Sequence, residues 1–431
     1  MVFRFANVVF VLALFFLKGN FGYCDDPICE FSEPVIYDPL PTTFVEGIVA
    51  ADLENDGDQD LVFSRSDNRI EVLLNDGTGT FAFGNQYLVG QFPNSLEAGD
   101  LNGDGLVDIA VTNSEQSDIS ILLSDGSGGF LPSVGLDAGG FAGPGSIQLG
   151  DLDADGDLDI VATTIAGSTV RLWLNNGDGT FVGQPPLSIC CVRSLALSDF
   201  DNDGALDFVL TRGTTKQFSR ADVYLNDGSA NFQLLVSLNV GARPNSIVAA
   251  DLDGDGDNDL AVAESARDTV SVILNNGDGT FAMPATFETS DDPNDIAASD
   301  VDGDQDIDLA VACTNSDTVE ILLNNGNGDF ELATPIHPAS EPADVIIFDA
   351  DGDLDMDIAT ANLFGSFNVA VNFNSCVLLG DVNLDGDVNL LDVGPFVNLL
   401  GSGEFQAEAD INQDGSVDLL DVGPFVELLA S

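Results

Sequence analysis

Residues 145–181 read GSIQLGDLDADGDLDIVATTIAGSTVRLWLNNGDGTF, and within them Asp151, Asp153, Asp155, Asp157 and Asp159 set a carboxylate at every second position. The stretch opens as a short apolar strand, passes through this acidic loop, and continues as DIVATT, a β-branched run suited to a second strand. VRLWLNN follows as a third strand. NNGDGTF is then a turn whose Asn and Gly residues supply the positive φ that a hairpin needs. The variable, partly polar stretch after Phe181 suits an outer edge strand.

The first Asp of the acidic cluster recurs as Asp52, Asp100, Asp151, Asp199, Asp251, Asp300 and Asp349. A period of about fifty residues announces a solenoid or a propeller. Four short antiparallel strands per unit and no helical periodicity select propeller blades, since a parallel β-helix has shorter rungs. The expected fold is mainly β, a seven-bladed propeller. Recurrent phrases such as SLEAGDLNGDGLVDIAVT, SIVAADLDGDGDNDLAVA and VSVILNNGDGTF, spread over residues 30–376, resemble the FG-GAP or VCBS repeats of integrin-type propellers. In that family seven blades close a ring.

Bulk composition agrees. A chain of 431 residues is too long for one ordinary core. Eleven basic against 73 acidic residues give a net charge of −62, which excludes a general affinity for nucleic acid and makes cations the natural partners. With 44% apolar residues and 29 Phe, the composition is not that of a disordered chain. Residues 1–22 read as a secretory signal: Arg4 precedes the apolar run FANVVFVLALFFL, which is short for a bilayer span, Lys18 blurs its end, and Gly22 suits cleavage. No second apolar stretch reaches spanning length, so a secreted or wall-associated monomer is expected.

The acidic loops explain their own charge. In DLDADGDLD the carboxylates at positions one, three, five and nine, with Gly156 at six and a carbonyl at seven, supply the oxygens a hard divalent cation such as Ca²⁺ requires. The same ligand set recurs as Asp52, Glu54, Asp56 and Asp60; Asp100, Asn102, Asp104 and Asp108; Asp151, Asp153, Asp155 and Asp159; Asp199, Asp201, Asp203 and Asp207; and Asp251, Asp253, Asp255 and Asp259. Two further copies, Asp300, Asp302, Asp304 and Asp308, and Asp349, Asp351, Asp353 and Asp357, replace the sixth-position Gly with Gln305 and Leu354. A side chain at positive φ costs about 1–2 kcal/mol, which weakens the expectation there. Up to seven calcium ions are expected in the propeller. Position twelve carries no acid, so these are EF-hand halves grafted onto hairpins, as the integrin-like family has them.

The seventh unit lacks an outer strand after VAVNFNSC, while CEFSEPVIYD precedes the first repeat with a strand to spare, so the two halves should complete one blade. Phe31 then stands where the Phe of NNGDGTF stands elsewhere. A Cys29–Cys376 disulfide would lock the ring, with a loop-entropy gain of ~4 kcal/mol or more; a small Cys24–Cys29 loop is the alternative. Cys190 and Cys191 are adjacent and suit a vicinal disulfide, and Cys313 has no evident partner.

After Cys376 the pattern changes. GDVNLDGDVNLLDVGPFVNLL and ADINQDGSVDLLDVGPFVELL now put an acid at position twelve: Asp381, Asn383, Asp385, Asn389 and Asp392 in one loop, Asp410, Asn412, Asp414, Asp418 and Asp421 in the other. An apolar helical segment follows each. The pair resembles a type I dockerin, which implies two more calcium ions and a cohesin-like or other extracellular protein partner. The recognition positions that usually carry Ser-Thr hold Leu390, Leu391, Leu419 and Leu420, a departure from the usual cohesin contact. The domains expected are thus a signal (1–22), the propeller (23–376) and the dockerin-like tail (377–431).

Catalysis finds little support. His337 is the one histidine, no nucleophile or phosphate-loop motif occurs, and Trp173 falls on a blade strand where it reads as core. A non-enzymatic binding or adhesion module is expected. The alternative is a polysaccharide-binding or polysaccharide-degrading protein, because paired carboxylates abound and dockerins often accompany such activities.

Overall fold

The computed structural model describes residues 28–38, 43–139, 143–164, 168–213, 219–338, 340–363, 369–377 and 409. The chain forms two compact units. Phe31–Val301 with Asp306–Asn374 is the propeller; Met1–Glu30, Asp302–Gln305 and Ser375–Ser431 form the other. In the latter, Ile28–Cys29 pairs antiparallel with Cys376–Val377, and Cys29 and Cys376 are joined by a disulfide across 347 residues. The long-range pairing is therefore the one formed. Cys190, Cys191 and Cys313 are free thiols, which corrects the vicinal disulfide.

Seven antiparallel sheets follow one another, with inner strands Ile48–Ala51, Pro93–Gly99, Pro144–Gly150, Val192–Ser198, Pro244–Ala250, Pro293–Ser299 and Pro342–Phe348. Each inner strand packs beside the next, and the last packs beside the first. Three more strands run outward in each blade, the outermost of blade 3 broken into Phe181–Gly183 and Leu187–Ser188. Val35–Tyr37 supplies the outer strand of blade 7, paired with Val369–Asn372, so the N-terminal segment completes the C-terminal blade as the sequence implied. Phe31 packs into the layer between blades 6 and 7.

The core is seven apolar layers, one between each pair of neighbouring blades. Second strands such as Asp60–Arg65 and Asp308–Cys313 are buried at every residue, because alternate side chains enter the layers on either side. Leu61 and Phe63 join blade 7, whereas Val62 joins blade 2. Trp173 lies in the layer between blades 2 and 3, as a core residue.

Hydrogen bonds knit the layers at the acidic-loop end. The ninth-position Asp of each loop is buried, and one of its oxygens accepts from the second loop residue, as in Leu152 N to Asp159 Oδ2, 2.9 Å. Its other oxygen accepts from a residue at or just past the end of the third strand, as in Asn175 N to Asp159 Oδ1, 2.8 Å. That asparagine reaches further. Asn175 Nδ2 donates to Leu158 O in its own blade and to Leu101 O in the preceding one, at 3.0 and 2.9 Å. Asn226, Asn275, Asn324 and Asn374 bridge to Leu152, Phe200, Leu252 and Val301, and Asn75 bridges to Ala350 across the closing seam. Blade 2 has Ser124 here, whose hydroxyl accepts from Gly126 in its own turn. The asparagines were expected to provide positive φ; the glycines do so instead, as at Gly177 and Gly179, both at φ 75°.

Replacing Asn275 with Ala strips the donor from the Phe200 and Asn258 carbonyls. We expect a loss of about 1–3 kcal/mol, read by calorimetry as a lower Tm with unchanged secondary structure. An unchanged Tm would show that the bridge is incidental.

Candidate metal centres

Each loop is shaped by its own carboxylates. In blade 3 Asp151 accepts from the Asp155 and Gly156 N–H groups, and Asp155 accepts from Asp157 N–H, curling the chain so that the acids face inward. Asp52, Asp100, Asp199, Asp251 and Asp349 make the corresponding bonds to their sixth residues. The turn requires two left-handed residues. The sixth has positive φ in all seven loops, including Gln305 and Leu354, both at 76°. The fourth does too, as Asn55, Gly103, Ala154, Asn202, Gly254, Gly303 and Gly352. The recurrence of Asn and Gly at that fourth position is the sequence signal for this turn.

One carboxylate oxygen from each of Asp151, Asp153 and Asp159 lies within 4.8 Å of the others, and the same holds for Asp199, Asp201 and Asp203, for Asp251, Asp253 and Asp255, and for Asp349, Asp351 and Asp353. The Leu354 loop thus keeps its ligand geometry, with the leucine side chain left 81% exposed. The first two loops bring fewer acids together. Asn102 takes position three in blade 2 and accepts from Asp104 N–H at 2.9 Å, while Glu54 in blade 1 reaches Gly128, where a Cβ would lie 2.8 Å from its Cγ. In the sixth loop Asp300 and Asp308 belong to the propeller unit and Asp302–Gln305 to the other. Asp381, Asn383, Asp385, Asn389, Asp392, Asp410, Asn412, Asp414, Asp418 and Asp421 lie outside the described residues.

The donor set fits a hard cation, and one observation argues that it needs one. Asp153, Asp201 and Asp351, all at position three, each bury an Oδ1 that has no hydrogen-bond donor. Burial and the flanking carboxylates hold these three carboxyls above the usual range. A divalent ion would supply the missing partner and cancel the repulsion. The ninth aspartates carry a second duty, since both their oxygens already brace the backbone. Burial pushes Asp60, Asp159 and Asp207 up to about 6 and Asp259 and Asp357 to about 7, against the opposing pull of two N–H donors.

Two outcomes are expected. Between about pH 4 and pH 7 the folded calcium-free chain holds protons on these aspartates that the unfolded chain has released, so its stability falls as pH rises through that window. Thermal melts of the demetallated protein should show the decline, and saturating calcium should abolish it; a flat calcium-free profile would contradict the burial. Leu354→Gly should relieve the left-handed strain, less the extra freedom glycine gains on unfolding, for a net gain of about 0.5–1 kcal/mol. Calorimetry with and without calcium reads that gain, and a lower Tm would refute it.

The FG-GAP-like repeat profile matches residues 52–111, 100–162, 151–210, 199–262, 251–311 and 300–360, and the dockerin type I domain profile matches residues 379–423. No curated protein matches the chain. Among solved structures it resembles an Agrocybe aegerita lectin studied for recognition of non-reducing terminal N-acetylglucosamine, at 20% identity and TM-score 0.52 over 78% of this chain and 86% of that one. A catalytically inactive virginiamycin B lyase from Staphylococcus aureus aligns at 15% identity and TM-score 0.54, over 80% and 99% of the two chains. A putative 6-phosphogluconolactonase from Bacteroides uniformis aligns at 15% identity and TM-score 0.55, over 69% and 86%. These likenesses concern the fold. The matched repeats span most of the propeller, with an acidic loop opening each, and the chain therefore belongs to the FG-GAP-like repeat family and carries a dockerin type I domain behind its blades.

Proposed function

We propose that this protein is a secreted, calcium-stabilised and non-enzymatic binding module, carried to its place of work by the dockerin domain. The observation that carries the reading is the fusion itself: a propeller over residues 52–360 followed by a dockerin type I domain at 379–423, whose partners are cohesins. In this reading the signal is 1–22, the propeller 23–376 and the tail 377–431. Calcium sits in the loops at positions one, three, five and nine, up to seven ions in the propeller and two in the tail. No helix among the described residues is long and apolar enough to cross a membrane. His337, the one histidine, is exposed with Nδ1 3.4 Å from the Asp317 carbonyl, a poor setting for a general base.

Calcium acts here on the scaffold. A loop saturated a hundredfold above its Kd adds about 2.7 kcal/mol to stability, so seven loops make the fold strongly metal-dependent. The leucines at 390, 391, 419 and 420 depart from the Ser-Thr pairs that usually make the cohesin contact.

The test is capture from the producing organism's envelope with the intact chain and with the chain stopped after Cys376, each with and without chelator. The intact chain should retain a cohesin-bearing partner only with calcium, the truncated chain should lose it, and neither should turn over polysaccharide. Turnover that survives mutation of the acidic loops would establish the polysaccharide-active alternative instead.

A further inference from the structure

At the end of the propeller axis where the inner strands begin, away from the acidic loops at their far ends, lies a cavity of ≈ 680 Å³, a volume typical of small-ligand sites. Its wall repeats one structural position. Ser95, Ser146, Ser194 and Ser246 occupy it in blades 2 to 5, Gly47 in blade 1, and Asp295 and Asp344 in blades 6 and 7.

The scaffold asks little of this position. Ser146 Oγ accepts from Leu195 N–H of the next blade at 3.3 Å. Asp295 and Asp344 accept the equivalent bonds, from Val345 N–H at 3.1 Å and Ile48 N–H at 2.9 Å. A serine therefore suffices for the inter-blade contact. The aspartates add acidity that this contact does not require.

A third acid joins them. Glu46 of blade 1 faces the same cavity, and no hydrogen bond or ion pair among the described residues engages its carboxyl. Asp295 and Asp344 hydrogen-bond each other, and burial with the Asp295 charge holds Asp344 well above the usual range. Burial alone brings Glu46 to about 7. The cavity's guanidinium, Arg193 of blade 4, donates to Asn245 Oδ1 at 3.1 Å and pairs with none of the three. Among the described residues no cation pairs with these three carboxyls on consecutive blades.

The geometry also narrows the ligand. These oxygens do not converge within 4.8 Å of one another as those of the acidic loops do, so they do not form a ready metal site. Among the described residues no Trp, Tyr or Phe lines the wall, so those residues offer no platform for stacking a neutral sugar ring. Serine and asparagine groups around the remaining wall suit a polar body behind a charged head.

We propose that the axial cavity binds a small organic cation, whose primary ammonium group is drawn to the acidic wall formed by Glu46, Asp295 and Asp344. An amino sugar and an aliphatic diamine share that chemistry. The site uses none of the acidic-loop residues, and it stands whether or not the tail binds a cohesin.

The test is calorimetric titration of the full chain in excess calcium, which fills the loops, and about 0.15 M salt, which screens the acidic surface. The probes are 1,4-diaminobutane, glucosamine and glucose. One amine per chain should bind and glucose should not, and the better amine identifies the source. Glu46→Gln and the double variant Asp295→Ser with Asp344→Ser, which installs the serines of the other blades, should each weaken amine binding about tenfold or more at unchanged Tm. If the double variant fails to fold, Glu46→Gln decides alone, because the Glu46 carboxyl holds nothing in the fold. No amine binding, glucose binding equal to glucosamine, or amine binding indifferent to the variants would each overturn the proposal.

Discussion

Everything in the propeller hangs on one buried contact, the ninth aspartate of each acidic loop accepting two backbone N–H bonds. A carboxylate sealed among apolar layers is costly, and fixed donors on both oxygens make it tolerable. The contact sets the end of the third strand, and that places the asparagine whose amide crosses to the preceding blade. Loop, hairpin and neighbour are therefore one unit. Six of the seven seams thereby gain a directional polar link beside their apolar layer, and a directional bond tolerates far less sliding than a hydrophobic layer does.

Much of this could be read before folding was considered. The aspartate spacing gave the blade count, and the orphan strand before the first repeat gave the closure at blade 7, because both are local patterns of charge and alternation. Asn175 and its equivalents were legible as turn residues and illegible as bridges, since their second acceptor lies more than seventy residues away. Asp295 and Asp344 failed in the same manner. In sequence each is one more acid near a proline, and only at the axis do they face Glu46. Local chemistry writes itself into a repeat, but the relations between repeats come from the ring.

Closure has a particular physical demand. A ring of equivalent blades has one seam where the chain does not run from blade to blade, and an open propeller would expose an apolar face there. Here Ile48 and Val45 meet Phe348 and Val371 across that seam. Asn75 and Asp344 add polar links between the same two blades. The Cys29–Cys376 disulfide then encloses the whole propeller chain in one covalent loop, so the unfolded state loses the freedom that would make the seam the weak interface.

The charge distribution follows from the same geometry. Inner strands end at the acidic loops, where carboxylates gather in a donor set that fits a hard cation, and any ion bound there would add to the stability of the scaffold. The opposite ends of those strands carry no such repeat; four blades place serine there, and Ser146 shows that a hydroxyl suffices for the inter-blade bond. Departures from that minimum are therefore informative where departures within the loops are not. Asn102 or Leu354 in a loop is a variation on a structural theme, whereas adjacent aspartates beside Glu46 at the axis carry an electrostatic cost beyond what the inter-blade bonds of Asp295 and Asp344 require. A feature the scaffold must carry against its own interest belongs to what the scaffold holds.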